Sequence, residues 1–198
     1  WWTLRGEPDD RYRYMLFPKR HARAASRADG RHIDLEYERI PLPLRDAYVA
    51  AFRRIEVRPA IAEIATRWGR EHLDPDVIGL QIRTWRDSPR RHRKYHRSAT
   101  ARLHRLIEGA KRDQRFLIVS DSDDVVDRLR ARYGSERTLA APRTTLRAQS
   151  WSSPQGIADD LLEMLLLAQT RRMFLSYLST FGEAAWWLGG ARAAVTVF

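Results

Sequence analysis

From Val77 to the end of the chain, short β-rich apolar runs alternate with amphipathic segments, and this alternation decides the fold class. "VIGLQIRTW" reads as a strand, and "RHRKYHRSATARLHRLIEGAK" follows it with Leu103, Leu106, Ile107 and Ala110 at helical spacing. "RFLIVSD" is the next strand, and "DDVVDRLRARYG" a helix that Gly134 ends. "RTLAAP" is a short strand closed by Pro142, and "GIADDLLEMLLLAQTRR" is the longest helix. "MFLSYL", "FGEAAWWLGG" and "AAVTVF" complete the series as strand, helix and strand. Strands alternating with amphipathic helices are βαβ units. The expected fold is therefore α/β, a doubly wound, mostly parallel sheet.

The first 76 residues do not share this rhythm. "RYRYMLFPKRHARAASRADGRH" is basic, irregular and broken by Pro18 and Gly30. "LRDAYVAAFRRI" and "RPAIAEIATRWGREH" read as two helices, the second opened by Pro59 at a first-turn position. The division expected is an irregular segment, residues 1–43, followed by an α/β domain over 44–198. Trp1-Trp2 in place of Met makes the chain a candidate fragment, with the irregular segment as the remnant of a further domain.

Composition narrows the partners. Cys is absent, which excludes disulfides and Cys-ligated metal and fits a reducing cytoplasm. No apolar run approaches the roughly 20 residues of a spanning helix, and no signal peptide is read. The net charge of +11 calls for an anionic partner, whether nucleic acid, membrane surface or phosphorylated ligand. Only Lys19, Lys94 and Lys111 are lysines among 36 cationic residues, an Arg bias that genome composition also produces. No nucleic-acid motif accompanies the charge, so nucleic acid is not the expected partner.

In an open α/β sheet, ligands bind beyond the carboxyl ends of the strands. Three strands end there on polar groups: at Arg83-Thr84-Trp85-Arg86-Asp87, at Ser120-Asp121-Ser122 and at Ser179-Thr180-Phe181. Arg83 offers a planar fork of donors for phosphate or carboxylate, or else pairs with an acid such as Asp121. Gln81 lies two positions earlier on the same strand face. "RTWRDSPRRHRKYHR" carries seven cationic residues against one acid, Asp87, and reads either as a lid over an anionic ligand or as a solvated helix start. Asp123 and Asp124 open a helix, where the macrodipole favours acids, with Ser122 as its N-cap, so no metal site is expected at "SDSDD". Thr180 and Glu183 fit a capping box. That leaves Ser179 unexplained, and hydroxyls under a helix N-terminus make an anion site.

Together these stretches resemble the nucleotide-binding domain of the GT-B fucosyltransferases, the superfamily of nodulation chitin-oligosaccharide α-1,6-fucosyltransferases and protein O-fucosyltransferases. "GLQIRTWRD" stands in the place of a His-x-Arg-Arg-x-Asp motif, and "VSDSDD" in that of Thr-Asp-Asp or Thr-Asp-Ser. Glu163, "LAQ", "MFLSYL" and "STF" follow the third motif, over residues 44–198 in all. The resemblance implies a Rossmann-like domain and inverting transfer of a sugar, fucose from GDP-fucose, with no metal or other cofactor. It implies Arg83 at the β-phosphate as the catalytic residue, and Ser179, Thr180 and Phe181 at the phosphates. It implies Glu163 at guanine, with Gln81, Asp121 and Ser122 near the nucleotide. Three positions depart from the family: Gln81 replaces its histidine, Thr84 its second arginine, and Asp87 stands one place later than its acid. The donor is thus expected to be a nucleotide sugar, and the acceptor a glycan, peptide or small molecule that the sequence does not name. Two other readings are a nucleotide- or phosphate-binding module without transfer, and a basic nucleic-acid-binding protein.

Overall fold

The structure is a computed structural model that describes residue 40 and residues 42–198 other than Leu178. The expected irregular segment therefore lies almost wholly outside the described residues. Two helices come first, α1 (Leu42–Phe52) and α2 (Pro59–His72), the latter with Pro59 in its first turn as expected. The alternating part follows as β1 (Ile78–Ile82), α3 (Ser98–Glu108), β2 (Phe116–Ser120), α4 (Asp123–Tyr133) and β3 (Thr138–Leu139). It continues as α5 (Pro154–Leu167), β4 (Arg172–Leu175), α6 (Thr180–Leu188) and β5 (Ala194–Val197). Gly134 ends α4 at φ 86°, a conformation open to glycine at little cost.

All five strands are parallel, in the order β3-β2-β1-β4-β5. β1 is central, and its five residues are all buried, which is why its sequence is a nearly continuous apolar run. Ile78, Leu80 and Ile82 enter one core with Leu103 and Ile107 of α3 and Val125, Val126 and Leu129 of α4. Leu117, Val119, Met173 and Leu175 enter the other, with Leu162 and Leu166 of α5 and Trp186 and Trp187 of α6. Burying a large apolar side chain of this kind stabilises by about 1.5–3 kcal/mol. Trp187 also meets Tyr48 of α1 at 5.2 Å between ring centroids, which ties the first helix to this layer. Both tryptophans are buried within the fold.

The strand order contains one reversal. After β3 at one edge, α5 carries the chain back to place β4 on the other side of β1. In such sheets the crevice opens at this switch point, beyond the carboxyl ends of β1 and β4. Among the described residues, no helix is long and apolar enough to cross a membrane.

Candidate functional site

The first strand ends earlier than its sequence suggests. β1 stops at Ile82, and Arg83, Thr84 and Trp85 turn out of the sheet, with Trp85 in the left-handed region at φ 57°. The turn is held from both neighbouring strands. On the β4 side, Arg83 N–H donates to Ser176 Oγ at 2.8 Å, and Ser176 N–H donates to Gln81 O at 3.0 Å. On the β2 side, Thr84 N–H donates to Asp121 Oδ1 at 2.8 Å, and Ser120 Oγ–H donates to Ile82 O at 3.0 Å.

Asp121 is the hub of this arrangement. Its Oδ2 pairs with Arg83 Nη1 at 3.2 Å, and its carbonyl accepts from Arg86 Nη1 at 2.9 Å. Arg86 Nη2 goes on to Ala148 O at 3.0 Å, beyond β3. Three strand exits are thereby cross-braced. The pairing of Arg83 with Asp121 that the sequence offers as an alternative is present, yet it engages one Nη of a five-donor fork. The Arg83 side chain keeps 33% exposure, whereas Asp121 keeps 13%. Arg83 also lies over the Trp85 ring, 5.5 Å from its centroid.

Gln81 is 3% exposed and points from β1 towards the first turn of α6. A Cβ added at Gly182 would sit 3.5 Å from Gln81 Oε1 and 3.1 Å from Leu175 Cδ2, so glycine permits this close approach. Gln81 Oε1, Thr84 Oγ1 and Trp85 Nε1 are buried with no hydrogen-bond partner among the described residues. Such groups are uncommon in native proteins and gather where a ligand or water completes them.

The capping of α6 differs from the sequence reading by one residue. Ser179, not Thr180, is the N-cap: its Oγ accepts from Gly182 N–H at 3.2 Å, and its carbonyl accepts from Glu183 N–H at 3.1 Å. Thr180 is the first helical residue and is exposed, so the Thr180–Glu183 box does not form. β4 ends at Leu175, four residues before Ser179 and earlier than the sequence suggests, and Ser179 N–H, which donates to Ser176 O at 3.2 Å, holds the cap in the turn between strand and helix. Phe181 packs its ring against the α5–α6 core. Ser122 precedes α4 at the N-cap position, but its hydroxyl makes no cap bond. The Asp123 carboxylate of the same turn is drawn instead to Arg147, with Nη1–Oδ1 at 2.9 Å.

Glu163 stands one step behind the strand ends. It is 1% exposed, and its carboxylate is held by Arg147 Nη2 on one oxygen and by Arg143 Nη1 at 3.0 Å on the other. Burial pushes its pKa up to about 7 against the pull of both guanidiniums. Through Arg147 it is linked to Asp123, next to Ser122 and Asp121. The structure thus gathers Gln81, Arg83, Asp121, Ser179 and the start of α6 at the switch point, and attaches Glu163 through a guanidinium. Sequence reasoning missed the long-range pairings of Arg86, Arg143 and Arg147: Arg86 reaches Ala148 O, 62 residues away, Arg143 reaches Asp160, 17 away, and Arg147 reaches Glu163, 16 away, beyond any local pattern.

Residues 92–97 form a π-helical turn that runs into α3. Such turns are frequent at functional sites. His92 Nδ1–H donates to Thr84 O at 2.7 Å, and its ring lies 4.9 Å from that of His96. Tyr95 stands 5.8 Å from Trp85 and 6.0 Å from Tyr177, between centroids. The basic run is therefore folded against the exit of β1. Among the described residues, no group of three His, Asp or Glu side chains is arranged to hold a metal ion.

No protein-family model matches the chain, and no curated protein does. Solved structures do. NodZ alpha-1,6-fucosyltransferase co-crystallised with GDP matches with a TM-score of 0.52 and 20% identity, over 76% of this chain and 47% of that one. POFUT1 matches in its apo form with a TM-score of 0.51 and 14% identity, over 81% of this chain and 52% of that one. POFUT1 in complex with GDP gives a TM-score of 0.51 and 13% identity with the same coverage. The chain spans about half the length of these structures. Over that length it shares the fold of these fucosyltransferase structures.

Proposed function

We propose that the crevice between β1 and β4 holds the diphosphate of a nucleotide sugar, and that the chain serves an inverting glycosyltransferase of fucosyltransferase type. The observation that carries this reading is the meeting of Arg83, braced by Asp121 and partly open, with the N-terminus of α6 at the switch point. A helix N-terminus and a guanidinium on adjacent strand exits suit two phosphates in sequence. The buried, unpartnered groups of Gln81 and Thr84 beside them favour a ligand at the same place. GDP in the NodZ and POFUT1 structures makes it the first nucleotide to test.

The chemistry follows from charge. Breaking the sugar–phosphate bond leaves negative charge on the departing diphosphate while the sugar gains oxocarbenium character. Arg83 and the α6 dipole, fixed before reaction, stabilise that charge with no metal ion required. Ser179 shapes the helix start, Thr180 and Phe181 present the first turn, and Asp121 and Ser122 form the adjoining wall. Glu163 enters as the residue that fixes Arg143 and Arg147 near the base. The sugar acceptor is a hydroxyl of a glycan, peptide or small molecule.

The test is calorimetric titration of GDP, GDP-fucose, UDP and ADP into wild type and Arg83→Ala. A preference for GDP that collapses in the variant is the expected result, with a loss of roughly 100- to 1000-fold in any transfer rate. Nucleotide binding without turnover would leave a binding module. Affinity for nucleic acid with a steep salt dependence, indifferent to Arg83, would overturn the proposal.

A further inference from the structure

We infer that Arg91 is a second anion-binding residue of the crevice, brought alongside Arg83 by the ring of Trp85. This rests on the reading of the crevice as a diphosphate site and adds a residue to it. Arg83 cannot balance a diphosphate alone, because Asp121 lies 3.2 Å from it and offsets its charge. A helix N-terminus contributes roughly half a positive charge. At least one further cation is needed for two ionised phosphates.

The loop after β1 contains several arginines, and the structure separates them. Arg86 is spent on Asp121 O, Ala148 O and the Asp87 carboxylate. Arg90, Arg91 and Arg93 are all exposed. Arg91 is different: its guanidinium lies 5.2 Å from the Trp85 centroid, against 5.5 Å for Arg83 on the same ring. Among the described residues no acid pairs with Arg91, so its charge is not offset as that of Arg83 is.

The backbone explains how both reach one ring. Trp85 adopts φ 57°, a conformation that a large side chain rarely takes. This turns the chain back at the strand end and leaves the indole beside Arg83, with Arg91 reaching the same ring from the helical turn that starts at Pro89. An aromatic face attracts a guanidinium, and here it attracts two that would otherwise repel. Arg91 adds its charge from eight residues beyond Arg83 in the chain.

The experiment is GDP titration into the full chain for wild type, Arg83→Ala, Arg91→Ala, Arg91→Lys and Arg93→Ala. The last is a control for exposed charge. Trp85→Gly, alone and with Arg91→Ala, completes the set, since glycine accepts the left-handed backbone without strain. Arg91→Ala should weaken GDP binding roughly tenfold, the loss of a charged hydrogen-bonding partner. Arg91→Lys should fall between it and wild type, and Arg93→Ala should stay within about twofold. In the Trp85→Gly background, Arg91→Ala should change little, because the ring that places Arg91 is gone. Arg91→Ala matching Arg93→Ala, while Arg83→Ala abolishes binding, would overturn this inference and spare the diphosphate reading. An undiminished effect of Arg91→Ala without the Trp85 ring would overturn it too. Absence of GDP binding by the wild type would overturn both.

Discussion

Replacing Asp121 tests whether the crevice is braced as the geometry indicates. Asp121→Ala removes two interactions of unequal value. The first is the bond from Thr84 N–H at 2.8 Å, a charge-assisted contact to a buried residue, for which about 1.5–3 kcal/mol is typical. The second is the pair with Arg83, one-third exposed and therefore screened, for which about 0–1 kcal/mol is the appropriate range. The sum predicts a loss of about 1.5–4 kcal/mol. Asp121→Asn keeps an oxygen for Thr84 but makes that bond a neutral one and loses the ion pair, so it should cost less, about 1–2 kcal/mol. Urea unfolding at pH 7 measures both, read as a shift of midpoint at unchanged slope. Two variants equally damaged, or Asp121→Ala within about 0.5 kcal/mol of wild type, would refute the assignment of the Thr84 bond as the main term. A binding cycle adds the functional half. If Asp121 acts by positioning Arg83, then Asp121→Ala should add almost nothing to Arg83→Ala in GDP affinity. Additive losses would show that Asp121 touches the nucleotide itself.

Two further predictions concern stability. Gly156 lies in the first turn of α5, where an added Cβ would fall 2.3 Å from Ser150 O and 2.6 Å from Ser150 Cα. Gly156→Ala gains about 1 kcal/mol of helix propensity. It must nonetheless displace backbone, at a cost of about 1–3 kcal/mol, so thermal unfolding should show net destabilisation; a stabilised variant would contradict the packing. The second prediction is a dependence on pH. Burial, then the charge of His92, holds His96 below the ordinary histidine range, with Asp121 opposing and Arg128 adding to the effect. His104 is lowered by burial and then by Arg132, against Glu108. At these two histidines the unfolded chain binds more protons near the ordinary value of about 6.5, so their contribution to stability falls as the pH drops through it. Glu163, with its pKa raised to about 7, acts in the opposite sense. Melting points between pH 7.5 and 5.5 for wild type and for His96→Gln with His104→Gln separate the two: the wild type should lose stability relative to the double variant as the pH falls.

The core was legible for a physical reason. Central parallel strands are buried on both faces, so β1, β2 and β4 appear as short apolar runs. Positions at strand exits were legible by the same rule, which is how Arg83, Asp121 and Ser179 were found. Local chemistry was less decisive. Ser179 and Thr180 are both good caps, each three residues from a suitable helical position, and only the Ser176–Ser179 turn selects between them. Ser122 has the composition of a cap, yet the Asp123 carboxylate of that turn is taken by an arginine 24 residues away. The partners of Glu163 come from the loop after β3, where "RTTLR" has no periodicity to mark two of its arginines as buried. Long-range pairing of charges leaves no trace in spacing.

That pairing also changes the meaning of the net charge. The sequence carries a surplus of +11, but the charges nearest the core are balanced by acids: Arg143 by Asp160 and Glu163, Arg147 by Asp123 and Glu163. Removing one member of such a buried set typically costs about 3–5 kcal/mol, since the remaining charge is stranded. The network thus fixes residues 143–147 against α4 and α5, while the adjoining Ala148 carbonyl receives Arg86 and with it the turn that carries Arg83. Among the described residues the rest of the surplus lies on exposed helix faces and the loop after β1, where salt screens it and, Arg91 apart, it supports only diffuse attraction of anions. A guanidinium that binds a particular anion must be ordered and still accessible. Arg83 meets that condition because neighbouring strands supply its braces, and the folding of those strands, more than the abundance of arginine, is what turns a basic chain into one with an anion site.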